Sequence, residues 1–145
     1  MKILVDTNIL IDWISQKEGY YQNAREIVCL CASKKVEGCI AAHSITNLFY
    51  ILRKYLGFEE RKNIFDRISK IFTIVSVDKP KLQDAVGNAG FSDFEDCLQM
   101  ECARSFGADM IVTRNISDFR NSSIPAIEPQ GFIDEMTYLS TNFSN

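Results

Sequence analysis

Five short apolar runs, spaced out by longer amphipathic stretches, set the fold class of this chain. The runs are Lys2–Val5, Gly38–Ala42, Phe72–Val77, Met110–Thr113 and Ile124–Ile127. They are too short for packed helices, and Phe72–Val77 (F-T-I-V-S-V) carries the β-branched residues that favour strands. The stretches between them repeat at helical spacing. A helix follows from about Ile9. Tyr21–Lys34 aligns Ala24, Ile27, Val28 and Cys31. Ile45–Tyr55 aligns Leu48, Ile51, Leu52 and Tyr55, with Ser44 as its expected N-cap and Gly57 as its stop. Glu59–Lys70 aligns Ile64, Ile68 and Ile71. Asp78 is placed to cap the next helix, with Pro80 in its first turn and Gly87 and Gly90 at its end. Ser92-Asp93-Phe94-Glu95 reads as an S-x-x-E capping box, opening a helix that runs to about Phe106 and closes at Gly107. Pro129 starts a last helix through about Leu139.

Strands separated by helices imply βαβ units, and hence a three-layer α/β/α sandwich around a mostly parallel sheet. A chain of 145 residues fits a single domain, here residues 1–139, with a polar tail at 140–145 that is expected to fray.

Composition removes several kinds of chemistry. His43 is the single histidine, so any Ser-His-Asp triad must pass through it and a His-rich zinc site is excluded. The five cysteines, at 29, 31, 39, 97 and 102, form no paired CxxC units, and free thiols in a reducing cytosol are expected. Cys29 and Cys31 are two apart on a helix and do not face each other. No apolar run reaches the ~18 residues of a membrane span. The first acid, at position 6, comes too early for a signal-peptide core. A cytoplasmic protein with no membrane partner is the expectation. The net charge of −3 argues against coating a duplex, an objection that loses force where carboxylates hold a cation. The basic pairs Arg53-Lys54 and Arg61-Lys62, and Lys79 with Lys81, read as scattered helix faces. Phe49, Tyr50, Phe65, Phe72 and Phe94 fall at core-type spacing. Trp13 reads as core, with base stacking or a dimer interface as alternatives.

In parallel α/β sheets, ligands bind beyond the carboxyl ends of the strands, at a switch in strand order. Asp6-Thr7-Asn8 stands directly after the first strand. It can cap the following helix, or Asp6 can bind a hard cation. Asp93 and Asp96 lie three apart in one helix turn, where like charges repel unless something neutralises them. First-turn acids also complement the helix dipole, and the capping box accounts for Glu95. Asp118 follows the Met110–Thr113 strand and is otherwise an ordinary turn residue. Taken together, oxygen ligands without His or Cys partners suit Mg²⁺ or Mn²⁺.

Three segments then carry a resemblance to the PIN-domain family, especially its small VapC-like toxins. They are Ile3-Leu4-Val5-Asp6-Thr7-Asn8-Ile9-Leu10-Ile11-Asp12, Asp93-Phe94-Glu95-Asp96-Cys97-Leu98-Gln99, and Ile111-Val112-Thr113-Arg114-Asn115-Ile116-Ser117-Asp118-Phe119. Their order and spacing span nearly the whole chain. The resemblance implies a Rossmann-like sandwich, an acid cluster binding Mg²⁺ or Mn²⁺, and hydrolysis of RNA to 5′-phosphate and 3′-hydroxyl ends. It also implies an antitoxin partner and a homodimer. It matches Asp6, Asp96 and Asp118 to family acids, and Asp93 to a further acid found in part of the family. Asn47 stands where relatives usually carry Glu. An amide oxygen can ligate a cation but brings no charge.

The catalytic and metal-binding set expected from this is Asp6, Asp93, Asp96 and Asp118. Asn47, Thr7, Asn8, Thr113 and Asn115 support it, and Arg114 contacts the RNA backbone or, alternatively, makes an ion pair. Two alternatives stand beside the ribonuclease. One is a degenerate module that binds RNA or protein, which Asn47 keeps open. The other is an aspartyl-nucleophile phosphohydrolase, which lacks its second acid because Asn8 occupies that position; a phospho-receiver domain lacks the acid pair that should precede Asp6.

Overall fold

The computed structural model describes residues 1–143. Its strands are β1 (Lys2–Val5), β2 (Glu37–Ala41), β3 (Thr73–Val75), β4 (Met110–Val112) and β5 (Ala126–Ile127). Its α-helices are α1 (Thr7–Ile14), α2 (Tyr21–Ala32), α3 (Ala42–Leu52), α4 (Phe58–Ile71), α5 (Lys79–Gly87), α6 (Phe94–Phe106) and α7 (Pro129–Asn142). The strands form one sheet in the order β3-β2-β1-β4-β5, and every pairing is parallel. The central strand aligns Leu4 with Cys39 on one side and with Ile111 on the other. The expected parallel α/β/α sandwich is the observed fold.

Alternation along β1 divides the core. Ile3 and Val5 face one layer, where they meet Ile9 and Leu10 of α1, Ile27 and Val28 of α2, Leu48 of α3, Ile68 of α4 and Phe132 of α7. Leu4 faces the other layer, with Ala85 of α5 and Cys97, Leu98 and Ala103 of α6. These strand side chains are fully buried, and each contributes about 1.5–3 kcal/mol by leaving water. A one-residue register slip would exchange the two faces, so this packing fixes the position of the strand end.

Close packing also explains Gly38 in β2. A Cβ there would lie 2.7 Å from Cys31 Sγ and 2.8 Å from Phe72 Cδ1, and both partners are buried. Overpacking of this kind costs about 1–3 kcal/mol. Gly38→Ala is therefore expected to lower the melting temperature by several degrees in a calorimetric scan. Gly107, at φ 75°, closes α6 in the left-handed region as expected for its position.

Several local expectations are corrected. α1 begins at Thr7, immediately off β1, rather than near Ile9. Ser44 is not an N-cap. α3 already starts at Ala42, and Ser44 is buried within it, where its hydroxyl accepts from Thr7 Oγ1 at 2.7 Å. Gly57 does not stop α3, which ends at Leu52; it is the N-cap of α4, with φ −68°, and has no left-handed role. The capping box is also shifted. Asp93, not Ser92, is the N-cap of α6, accepting from Asp96 N at 3.0 Å. Tyr50 and Phe94 are exposed rather than core, and Trp13 only partly joins the core, with the Arg67 guanidinium 4.9 Å from its ring. α7 runs to Asn142, through the start of the stretch expected to fray; Ser144 and Asn145 lie outside the described residues. Among the described residues no helix is long and apolar enough to cross a membrane.

Candidate active site

The sheet pairing continues one residue past β1, because Asp6 N donates to Val112 O at 3.0 Å. Asp6 therefore sits at the carboxyl edge of the sheet between β1 and β4, where the strand order reverses. It occupies the N-cap position of α1, yet its side chain makes no capping bond. One carboxylate oxygen accepts from Thr113 Oγ1 at 2.7 Å and the other from Gln99 Nε2 at 2.9 Å. Thr113 is held in turn, its Oγ1 accepting from Asn115 N at 3.0 Å. The side chain of Asp6 is thus oriented from β4 and α6 together, and the capping alternative is set aside. Each of its oxygens keeps a further lone pair.

The helix α6 supplies the facing wall. Asp96 and Gln99 are three apart and Glu95 and Gln99 four apart, so all three share a face. With Asp6, Asn8, Asn47 and Asn115 they line an open cavity of ≈ 310 Å³, whose apolar side is Ile11, Tyr50 and Ile51. No Lys, Arg or His is among these lining residues. Burial pushes the Asp96 carboxyl up to about 7, and repulsion from Asp93, Asp6, Asp118 and Glu95 adds to it. Asn8 Oδ1 and Gln99 Oε1 are buried with no protein donor. The cavity thus presents oxygen acceptors and negative charge. That donor set fits a hard divalent cation and its waters rather than a softer metal.

The expected four-acid cluster is not assembled as one group. Among the described residues no three His, Cys, Asp or Glu side chains stand together as a ready metal site. Asp6 and Asp96 share the cavity. Asp93 has one oxygen engaged as the helix cap. Asp118 lies in a 3₁₀ turn, Ile116–Phe119, exposed and off the cavity wall, though its charge reaches Asp96. Of the supporting residues, Thr7, Asn8, Asn47 and Asn115 line the cavity, Thr7 being also bonded to Ser44, and Thr113 buttresses Asp6.

Arg114 is elsewhere. Its Nε lies 2.6 Å from Asp12 Oδ2, and its guanidinium stacks 4.3 Å from the Tyr20 ring centroid. It faces a separate cavity with Tyr20, Asn23 and Glu128, so the ion-pair alternative is the one observed. Burial lowers the pKa of His43, in the first turn of α3, against the pull of Glu95 and Asp6.

Two cavity residues escaped the sequence reading. Gln99 is a polar residue on the buried face of α6, only 4% exposed, and its spacing from Asp96 was the available signal. Glu95 was assigned to a capping box. With the cap at Asp93 it is released from that task, and its carboxylate accepts from Asn47 Nδ2 at 3.0 Å.

The PIN domain family matches residues 2–117, and the chain belongs to that family. It is 22% identical to Ribonuclease VapC1 of Aquifex aeolicus (strain VF5) over 144 residues, 95% of this chain and 97% of that protein. Its fold matches VapBC2 from Rickettsia felis, solved bound to a DNA fragment from its promoter, with TM-score 0.63 and 20% identity over 88% of this chain and 98% of that one. A toxin-antitoxin complex from Klebsiella pneumoniae matches with TM-score 0.66 and 21% identity, over 88% and 97% of the two chains. The chain is VapC-like in sequence extent and in fold. Family membership favours neither the aspartyl-nucleophile phosphohydrolase nor the degenerate binding module.

Proposed function

We propose that this protein is a cytoplasmic, Mg²⁺- or Mn²⁺-dependent endoribonuclease and the toxin of a toxin-antitoxin pair. The observation that carries the reading is the cavity at the strand switch, which Asp6 and Asp96 both line and no Lys, Arg or His lines. Asp6 and Asp96 would hold the ion, with Asp93 and Asp118 adding negative charge and Asn8 and Asn115 accepting from its waters. Bound there, the ion supplies a water of lowered pKa and neutralises charge developing on the phosphoryl oxygens.

The protein's own groups do the rest. Gln99 and Thr113 keep Asp6 in one orientation. Asp93, whose second oxygen is not engaged by the cap, would orient the attacking water. Arg114 is committed to Asp12 at a separate cavity, so strand contact is assigned to Tyr50. Tyr50 lines the cavity and is 65% exposed, and the Arg53 guanidinium lies 3.6 Å over its ring. A base stacked there gains about 1–3 kcal/mol. Tyr50→Ala is accordingly expected to weaken binding of a single-stranded RNA about tenfold, read by fluorescence anisotropy in EDTA. The Klebsiella structure is a toxin-antitoxin complex, which supports an antitoxin partner here, beside a homodimer.

The test is incubation with labelled single-stranded and structured RNAs in Mn²⁺. Cleavage that EDTA abolishes, and that Asp6→Asn reduces by about 10³-fold, supports the reading. A folded protein that binds Mn²⁺ and cleaves none of the RNAs contradicts it.

A further inference from the structure

Asn47 and Glu95 come from different layers of the fold and meet at the cavity. The first is on α3 and the second in the opening turn of α6, 48 positions later. Both line the cavity that contains Asp6 and Asp96. A carboxylate only accepts, so the amide nitrogen of Asn47 must be the end that faces Glu95, which fixes the amide orientation. Glu95 has no capping duty, because Asp93 performs it. Its residue is exposed, and a free glutamate in that setting would sample many rotamers. The bond from Asn47 holds it on the cavity side instead. Its charge is among those felt at Asp96. A neutral amide places it there; no basic residue lines the cavity to offset the repulsion. Independently, Gln99 is 4% exposed and its Oε1 has no protein donor. That oxygen is a further acceptor, on a residue of the same cavity, that the protein leaves without a donor.

We infer that Glu95 is a further acidic residue of the cation site and that Asn47 is its positioning residue, acting through the carboxylate it holds. The inference rests on the divalent-cation reading of the cavity. Asn47 then acts without a charge of its own, through the carboxylate that α6 supplies.

Calorimetric titration of the full chain with Mn²⁺ alone tests it, with circular dichroism and melting curves as folding controls. Glu95→Gln, an exposed substitution that keeps shape, is expected to weaken Mn²⁺ binding at least tenfold. Asn47→Ala is expected to weaken it up to about tenfold, the lower end for removal of a group that orients a ligand. Asn47→Ser replaces it should the alanine variant fail to fold. The decisive readout is coupling, because a positioning residue has nothing left to position once its partner is neutral. The double variant should bind as weakly as Glu95→Gln alone and no more weakly. Asp6→Asn should abolish binding. Glu95→Gln binding as tightly as wild type while Asp6→Asn binds nothing would overturn the inference and leave the cation site standing. Additive losses in the double variant would overturn the role of Asn47. A folded wild type that binds no Mn²⁺ would overturn the cation reading, and this inference with it.

Discussion

At pH 8 and without divalent metal, Asp96→Asn is expected to melt several degrees above wild type, and Mn²⁺ is expected to close the gap by stabilising wild type alone. Asp96 ionises near 7 in the folded protein, against an ordinary value of 3.8, because burial and then its acidic neighbours oppose its charge. Between those values the folded state holds the proton more tightly than the unfolded state. Stability therefore falls as pH rises from about 4 to about 7, and the loss is complete above that. At 1.36 kcal/mol per pH unit the full effect would be about 4 kcal/mol. Asp96 is half-buried, so solvent screening reduces this to roughly half. At about 2–4 °C per kcal/mol that is a shift of several degrees. The asparagine variant lacks the charge and escapes the loss. A cation bound by wild type reverses it, and a concentration of a hundred times the dissociation constant adds about 2.7 kcal/mol. Melting curves at pH 5 and pH 8, with and without Mn²⁺, check this. Equal stabilisation of both proteins by Mn²⁺ would remove Asp96 from the site.

The largest stability effect is expected at Arg114. Asp12 is 1% exposed, and its ionised form depends on Arg114, with Lys17 assisting. Deleting one partner of a buried pair leaves an uncompensated charge, at a cost of about 3–5 kcal/mol. Arg114→Ala should thus lower the melting temperature by roughly 10 °C. The pH dependence has a definite sign. Burial already raises the Asp12 pKa, and Arg114 is the main group lowering it. Without Arg114 the carboxyl is raised further, so the variant loses stability more steeply than wild type as pH climbs above about 4, and recovers toward acid pH. Adding Asp12→Asn to Arg114→Ala should restore much of the loss at neutral pH. If Arg114→Ala melts like wild type but loses RNA affinity, Arg114 contacts the strand and the ion pair is incidental.

The fold was legible because its main signals are periodic. The short all-apolar run Ile3-Leu4-Val5 and the helical spacing of Ala24, Ile27, Val28 and Cys31 report burial directly, and βαβ order then dictates a parallel sheet. Asp6 was legible for the same reason, since a strand end at a switch point is where ligands bind. What failed to show was tertiary choice among equivalent local partners. Ser44 and Ser92 are good caps by type, but Ser44 bonds Thr7 across the layer and Asp93 takes the α6 cap one residue later. That single-residue shift separates Glu95 as a helix-start residue from Glu95 as a cavity acid. Arg114 presents the same ambiguity. A basic residue beside a motif acid reads as a substrate contact until Asp12, 102 positions earlier, is found against it.

One ion at one cavity would carry the activity, and the most direct measurement is the initial rate of RNA cleavage across a Mn²⁺ titration, run beside the binding isotherm of the same protein. Cleavage and binding are expected to rise over the same Mn²⁺ range, and both to vanish in Asp6→Asn. Cleavage that persists in Asp6→Asn, or that saturates at a concentration unrelated to the binding curve, would contradict it.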